Sequence, residues 1–287
     1  MMTTPASRLA PAPSRLRLTP ARVLTLVIGV PLILALIGWL GFTAVALAGR
    51  GSYPVSYVIG VRDGHLVAGI DGNVTLRQVP GHTAHLAGTV QYDLVRPAVT
   101  QSTGPNGTNL DVRCRIPNGL CGLNATLDVP AQTAVTLSSD GGDMAVSGID
   151  DVALSSDGGN VAISGPGGLT SVDTGGGDLT ASDLAGIVKF STSGGNITGN
   201  DLAAPSVNAG SSGGDITLVF AKPPANLDIT SGGGNVTVLL PHGATTYRIT
   251  GSAEGGSDSE TVPTSSLSHN TISVKSGGGD ITIAEAS

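Results

Sequence analysis

Residues 138–146 read SSDGGDMAV, and near copies follow. They are SSDGGNVAI at 155–163, DTGGGDLTA at 173–181, STSGGNITG at 191–199, GSSGGDITL at 210–218, TSGGGNVTV at 230–238 and KSGGGDITI at 275–283. In each copy an acidic or amide residue follows a glycine pair: Asp143, Asn160, Asp178, Asn196, Asp215, Asn235 and Asp280. Successive intervals between them are 17, 18, 18, 19, 20 and 45 residues. The last interval holds one full unit and a degenerate one, in which Tyr247, Ile249 and Gly255-Gly256 sit near the expected phase. Self-similarity at a short period marks a stacked architecture, because one unit cannot bury its apolar face alone.

With the Asp or Asn as position zero, apolar residues recur at −8 and −6 (Val135/Leu137, Val152/Leu154, Leu227/Ile229) and at +1 and +3 (Met144/Val146, Val161/Ile163, Ile281/Ile283). Two short runs of period-two alternation per unit are the pattern of half-buried strands. The glycine pair between them is expected to permit φ > 0 and a sharp change of direction. A further apolar residue near +6 (Ile149, Leu184, Leu202) closes the unit. Two architectures fit. In a β-solenoid each unit is one coil and equivalent positions stack in parallel ladders; in a meander each glycine pair is a hairpin turn. Strict register favours the solenoid. The expected fold is therefore all-β, a repeat β-solenoid over 131–287, preceded by one N-terminal transmembrane α-helix.

The chain has 287 residues, formal charge −7, 12% charged residues and 43 glycines. Glycines that recur in phase argue against a disordered low-complexity chain. Mild acidity, with no Lys/Arg cluster beyond the first 22 residues, argues against nucleic acid as a partner. Three Phe, four Tyr and one Trp exclude a large aromatic core.

Residues 1–22 carry Arg8, Arg15, Arg17 and Arg22 and no acid, and Val23 to Ala48 carries no charge. A helix of that length reaches about 39 Å, enough for a hydrocarbon core of about 30 Å. The positive-inside rule then puts 1–22 in the cytoplasm as a tail and the remainder outside the cell membrane. A cleaved signal peptide ending at Ala46-Leu47-Ala48 is the rival reading; the apolar run is long for one, which favours an anchor.

Residues 50–130 read as a β-rich entry cap, in which HLVAGIDGNVTL (65–76) resembles an early repeat with Asn73 at zero. Cys114 and Cys121, the chain's two cysteines, flank a Pro-Asn-Gly loop. In an extracytoplasmic domain such a pair reads most simply as a disulfide. The polar stretch 251–270 breaks the repeat and is expected to be a surface loop thrown out of the stack.

One membrane span, a cysteine pair, the Val129-Pro130-Ala131 turn and repeated S-G-G-[DN]-[VIL]-x-[VIL] units together resemble the DUF4097 putative-adhesin family of bacterial envelope proteins. The chain is also similar to putative auto-transporter adhesin head domains. The resemblance covers about 60–287 and implies a right-handed β-helix-like fold on the cell surface, with no catalytic or binding residue to carry across. The 251–270 insertion departs from the simplest pattern.

The seven Asp/Asn positions would form a ladder up one edge. Stacked carboxylates suggest calcium, but the β-roll spacing G-G-x-G-x-D is not met. The turn reading, in which these side chains accept local backbone N–H bonds, is favoured. His82 and His85 form H-x-x-H with no third ligand, a poor zinc signal. No H-E-x-x-H or P-loop is present, and neither enzyme activity nor a cofactor is expected. Two roles remain. One is a surface display or adhesion module offering Ser/Thr faces to a cell-wall glycan or an envelope protein. The other is an envelope sensor or regulatory partner of another membrane protein. A glycan-active β-helix enzyme is the remote alternative.

Overall fold

The computed structural model describes residues 30–48, 50–93, 98–104, 107–113, 121–165 and 167–286. They belong to two compact units, Met1–Gly49 and Arg50–Ser287. In the first, the described part of the expected span is a helix, α1 (Val30–Ala48), with Pro31 in its first turn, where a missing N–H costs nothing. Residues 23–29, like the tail 1–22, lie outside the described residues. No helix among the described residues is long and apolar enough to cross a membrane.

The second unit opens with β1 (Arg50–Gly60), β2 (His65–Ile70), β3 (Gly72–Val79), β4 (Thr83–Asp93), β5 (Ala98–Gly104), β6 (Gly107–Arg113) and β7 (Cys121–Pro130). The repeats follow as strand pairs: β8 (Ala134–Ser139) with β9 (Met144–Ser147), β10 (Val152–Ser156) with β11 (Val161–Ser164), and β12 (Leu169–Thr174) with β13 (Leu179–Ser182). Next come β14 (Ile187–Thr192) with β15 (Ile197–Leu202), β16 (Ser206–Ser211) with β17 (Ile216–Phe220), and β18 (Asn226–Ser231) with β19 (Val236–Leu240). The chain closes with β20 (Arg248–Ala253), β21 (Asp258–Glu260), β22 (Thr271–Ser276) and β23 (Ile281–Glu285).

From β6 onward consecutive strands alternate between two sheets. Sheet one runs β1-β4-β7-β3-β9-β11-β13-β15-β17-β19-β23-β21, and sheet two runs β20-β22-β18-β16-β14-β12-β10-β8-β2-β6-β5. Each repeat is thus one coil, with a strand in each sheet. From β8 onward every strand-to-strand pairing is parallel, and all keep phase except for a register shift between Gly199 and Leu202 where β15 meets β17. Val152 stands between Val135 and Thr170, and Val161 between Met144 and Leu179. Parallel pairing settles the choice between solenoid and meander, since hairpins would pair antiparallel. Side chains at −8, −6, +1 and +3 all point into the space between the sheets and are buried, as are Ile149, Leu184 and Leu202. Burial of that continuous apolar column, at about 1.5–3 kcal/mol per large aliphatic side chain, drives the stacking.

The ends depart from chain order, and here the sequence reading needs correction. The stack does not begin at 131. β2 and β3 lie in register beside β8 and β9, with Leu66 against Val135 and Val74 against Met144, and β6 and β7 lie beyond them. Antiparallel strands then close this end, β4 and β1 on sheet one and β5 on sheet two.

The stretch 251–270 is only in part the expected surface loop: 261–270 lies outside the strands, but 251–260 belongs to the stack. β20 pairs in parallel with β22 and β21 with β23, so 248–260 forms the outermost coil, laid beyond the coil that follows it in sequence. Ile249 keeps the core phase beside Ile272, and a Cβ on Gly256 would stand 2.5 Å from the Gly279 carbonyl oxygen. Residues 251–260 are polar because a terminal coil is wet on its outer side, not because they leave the stack.

Candidate functional site

The corner joining the two strands of each coil is built from three ladders. The first is steric. Along Gly159, Gly177, Gly195 and Gly214, a Cβ on the second glycine of each pair would stand 2.0 Å from the corresponding glycine carbonyl oxygen of the preceding coil. In the first four pairs the leading glycine has room: nothing lies within 4 Å of a Cβ at Gly141, Gly158, Gly176 or Gly194. None of these paired glycines has positive φ, which corrects the expectation that the pair supplies a left-handed turn. The glycine is required because backbones stack too closely for a side chain. Left-handed residues lie at the other corner, at Gly148, Gly165, Asp183 and Asp201.

The second ladder is a column of buried hydroxyls at −4, which sequence reasoning missed: Ser139, Ser156, Thr174, Thr192, Ser211, Ser231 and Ser276. The Thr192 hydroxyl accepts the Gly195 N–H at 3.0 Å and donates to the Gly177 carbonyl of the preceding coil at 3.3 Å. Thr174, Ser211, Ser231 and Ser276 repeat both bonds. The signal was present as an invariable Ser or Thr before the glycines. A hydroxyl in an alternating strand reads as outward polar unless the turn geometry is known.

The third ladder holds the predicted Asp and Asn residues. Each Oδ1 accepts the backbone N–H of the zero residue in the next coil. The bonds run Asp143 N to Asn73, Asn160 N to Asp143, Asp178 N to Asn160, Asn196 N to Asp178, Asp215 N to Asn196, Asn235 N to Asp215 and Asp280 N to Asn235, at 2.7–2.9 Å. Asp280 in turn accepts the N–H and hydroxyl of Ser257, which lower its pKa. The partner is a neighbouring coil, not a local turn. An oxygen acceptor serves at every step, and Asp and Asn supply it equally.

These ladders border an outward face on sheet one. Its +2 row runs Thr75, Ala145, Ala162, Thr180, Thr198, Thr217, Thr237 and Thr282, each beside the next in register. The two alanines leave a shallow depression of about 560 Å³, rimmed by Asn73, Thr75, Asp143, Asn160, Asp178 and Thr180. A second depression of about 220 Å³ shares Thr75, Ala145, Ala162 and Thr180 and adds Ser147, Ser164 and Ser182. Hydroxyl, amide and carboxylate groups held at strand spacing around a small apolar floor suit a polar, extended ligand.

At the opposite corner His242 Nδ1 lies 2.6 Å from Glu285 Oε2. Tyr247 is buried with no hydrogen-bond partner for its hydroxyl, and burial followed by the charge of Glu285 raises its pKa. Cys114 lies outside the described residues, and Cys121 is described only as the first residue of β7. No group of three or more His, Cys, Asp or Glu side chains able to hold a metal occurs among the described residues.

The Toastrack DUF4097 family model matches residues 123–287, more than half of the chain, and the chain belongs to that family. Among solved structures, a putative adhesin from Bacteroides fragilis NCTC 9343 aligns at 18% identity and TM-score 0.45, over 82% of this chain and 97% of that one. A putative lipid binding protein from Parabacteroides distasonis ATCC 8503 aligns at 13% identity and TM-score 0.47, over 80% and 96%. A putative adhesin from the same organism aligns at 11% identity and TM-score 0.43, over 80% and 97%. No curated protein matches the chain.

Proposed function

We propose that the chain is a membrane-anchored, extracytoplasmic, adhesin-like binding scaffold without catalytic activity. Its stack, wound right-handed as parallel crossovers generally are, would display the sheet-one face to a cell-wall glycan or an envelope protein. The observation that carries this reading is the outward row itself. Thr, Asx and Ser groups stand in register around Ala145 and Ala162. Rigid presentation lowers the ordering cost of each weak polar contact, so many of them add. Anchoring is supported by the charge-free run 23–48 and by α1, where Leu32, Ile33, Leu34, Leu36, Ile37 and Trp39 are all exposed. A helix apolar all round calls for lipid or protein cover. Cys114 and Cys121 are proposed to bridge, consistent with an oxidising compartment.

The test uses the full chain reconstituted in lipid nanodiscs and insoluble cell-wall glycan in a pull-down. Binding is expected, and Ala162→Arg, which fills the depression without entering the core, should reduce it at least about tenfold. Equal binding by the variant would remove the face from the proposal. Turnover of the glycan would replace the proposal with an enzyme.

A further inference from the structure

The outermost coil carries charge where its neighbours carry aliphatic side chains. Asp258 and Glu260 stand in register with Ile281 and Ile283, in the phase that faces the core. Both are exposed, because β20 and β21 are the last strands of their sheets and the core opens between them. Their carboxylates lean across that opening toward sheet two. A Cβ on Gly251 would lie 3.4 Å from Glu260 Oε1 and 3.9 Å from Asp258 Oδ2. Ile249 and Ala253, the other core-phase residues of β20, are half-buried. The edge of β20 is covered at its start, where Tyr247 pairs with Thr264.

We propose that this end is a self-association surface held shut by Asp258 and Glu260. It goes beyond the binding role of the sheet-one face. The excluded occupant is a second copy of this chain, and the geometry names it. Two strand edges end together, separated by the thickness of the core, and the same end of another copy offers two edges at that spacing. Joining them would extend both sheets and complete the burial of Ile249 and Ala253. It would also bring two carboxylates from each copy into one dry layer, where Arg248 is the one cation lining the depression beside Glu260, and desolvating the surplus of carboxylates outweighs the edge hydrogen bonds. The other end of the stack needs no such device, because β1 and β5 close it with antiparallel strands and β1 carries Pro54.

Sedimentation velocity on the full chain in detergent tests this, comparing wild type, D258N/E260Q and D258V/E260V, with amide hydrogen exchange to locate the contact. The valine variant is expected to self-associate at least about tenfold more tightly than wild type, with 249–253 and 258–260 gaining protection as concentration rises. The amide variant should fall between the two. If D258V/E260V does not fold, the isosteric D258N/E260Q decides alone. The proposal fails if the folded variants associate no more tightly than wild type. It fails equally if association leaves exchange in those strands unchanged, or if wild type already pairs through them.

Discussion

The two corners of each coil are built on opposite principles. At the glycine corner the path from −8 to zero has the same length in every repeat, from Val135–Asp143 to Ile272–Asp280. Steric contact, buried hydroxyls and Asx side chains all bind one coil to the next there. At the other corner the chain lengthens along the stack, and all of the drift in repeat interval from 17 to 20 residues accumulates there. The left-handed residues Gly148, Gly165, Asp183 and Asp201 stop after the fourth coil. In the coils that follow, Phe220 and Leu240 extend the strands inward instead. That corner also releases the excursion 241–270, which builds the outermost coil and stretches the last interval to 45 residues. One corner sets register and the other absorbs change.

The strongest way to break this comparison is insertion. One glycine added between Gly176 and Gly177 should shift the following strand by a residue and turn its inward face outward. The expected loss exceeds about 4 kcal/mol in denaturant unfolding, or folding fails. The same insertion between the exposed Lys222 and Pro223, at the other corner, should cost less than about 1 kcal/mol. Equal costs would mean that the corners do not differ.

Within the glycine corner, neighbouring residues should behave differently. Gly177→Ala places a methyl 2.0 Å from the Gly159 carbonyl and should cost about 3 kcal/mol or more, while Gly176→Ala meets nothing within 4 Å and should stay within about 0.5 kcal/mol. Melting temperatures of the pair measure the contrast.

Two threonines sharpen it further. Thr192→Val removes a hydroxyl that satisfies Gly195 N–H and Gly177 C=O, and should destabilise by about 1–3 kcal/mol. Thr170 is buried among core positions between Val152 and Val188, and its hydroxyl has no partner. Thr170→Val should therefore stabilise the fold by about 1 kcal/mol. The same change thus has opposite signs at two buried sites.

The smallest effect concerns pH. Asp280 has its pKa lowered by the Ser257 N–H and hydroxyl. Its contribution is present above the unfolded carboxylate value, near 3.9, and is lost as pH falls through the lower folded value. Asp280→Asn keeps the Oδ1 acceptor, so acid titration of its stability should show a flatter acid limb than wild type. An unchanged limb would show that Asp280 does not contribute to it.

Much of the molecule was legible in the residues because a stacked repeat writes its tertiary contacts into its period. The core phase of Val135, Val152 and Leu227, the strand pairs and even the early copy around Asn73 could be read that way. The corner was legible only in part. Glycine after glycine suggested a conformational need, whereas one glycine of each pair answers to a carbonyl oxygen of another coil. That distinction is invisible without the separation between coils. The Ser/Thr column was hidden for the same reason, since its partners belong to two different repeats.

The sequence by itself determined which residues of each unit turn inward, because alternation and period put them in one phase, while parallel pairing in the structure decided that the units stack as coils. Tertiary structure alone decided the order of coils at the ends. Parallel pairing rewards any coil in phase, whatever its place along the chain, and a long connection costs little extra entropy. The strand pair that follows later in sequence can therefore lie nearer the middle, and 248–260 can finish the stack from outside it.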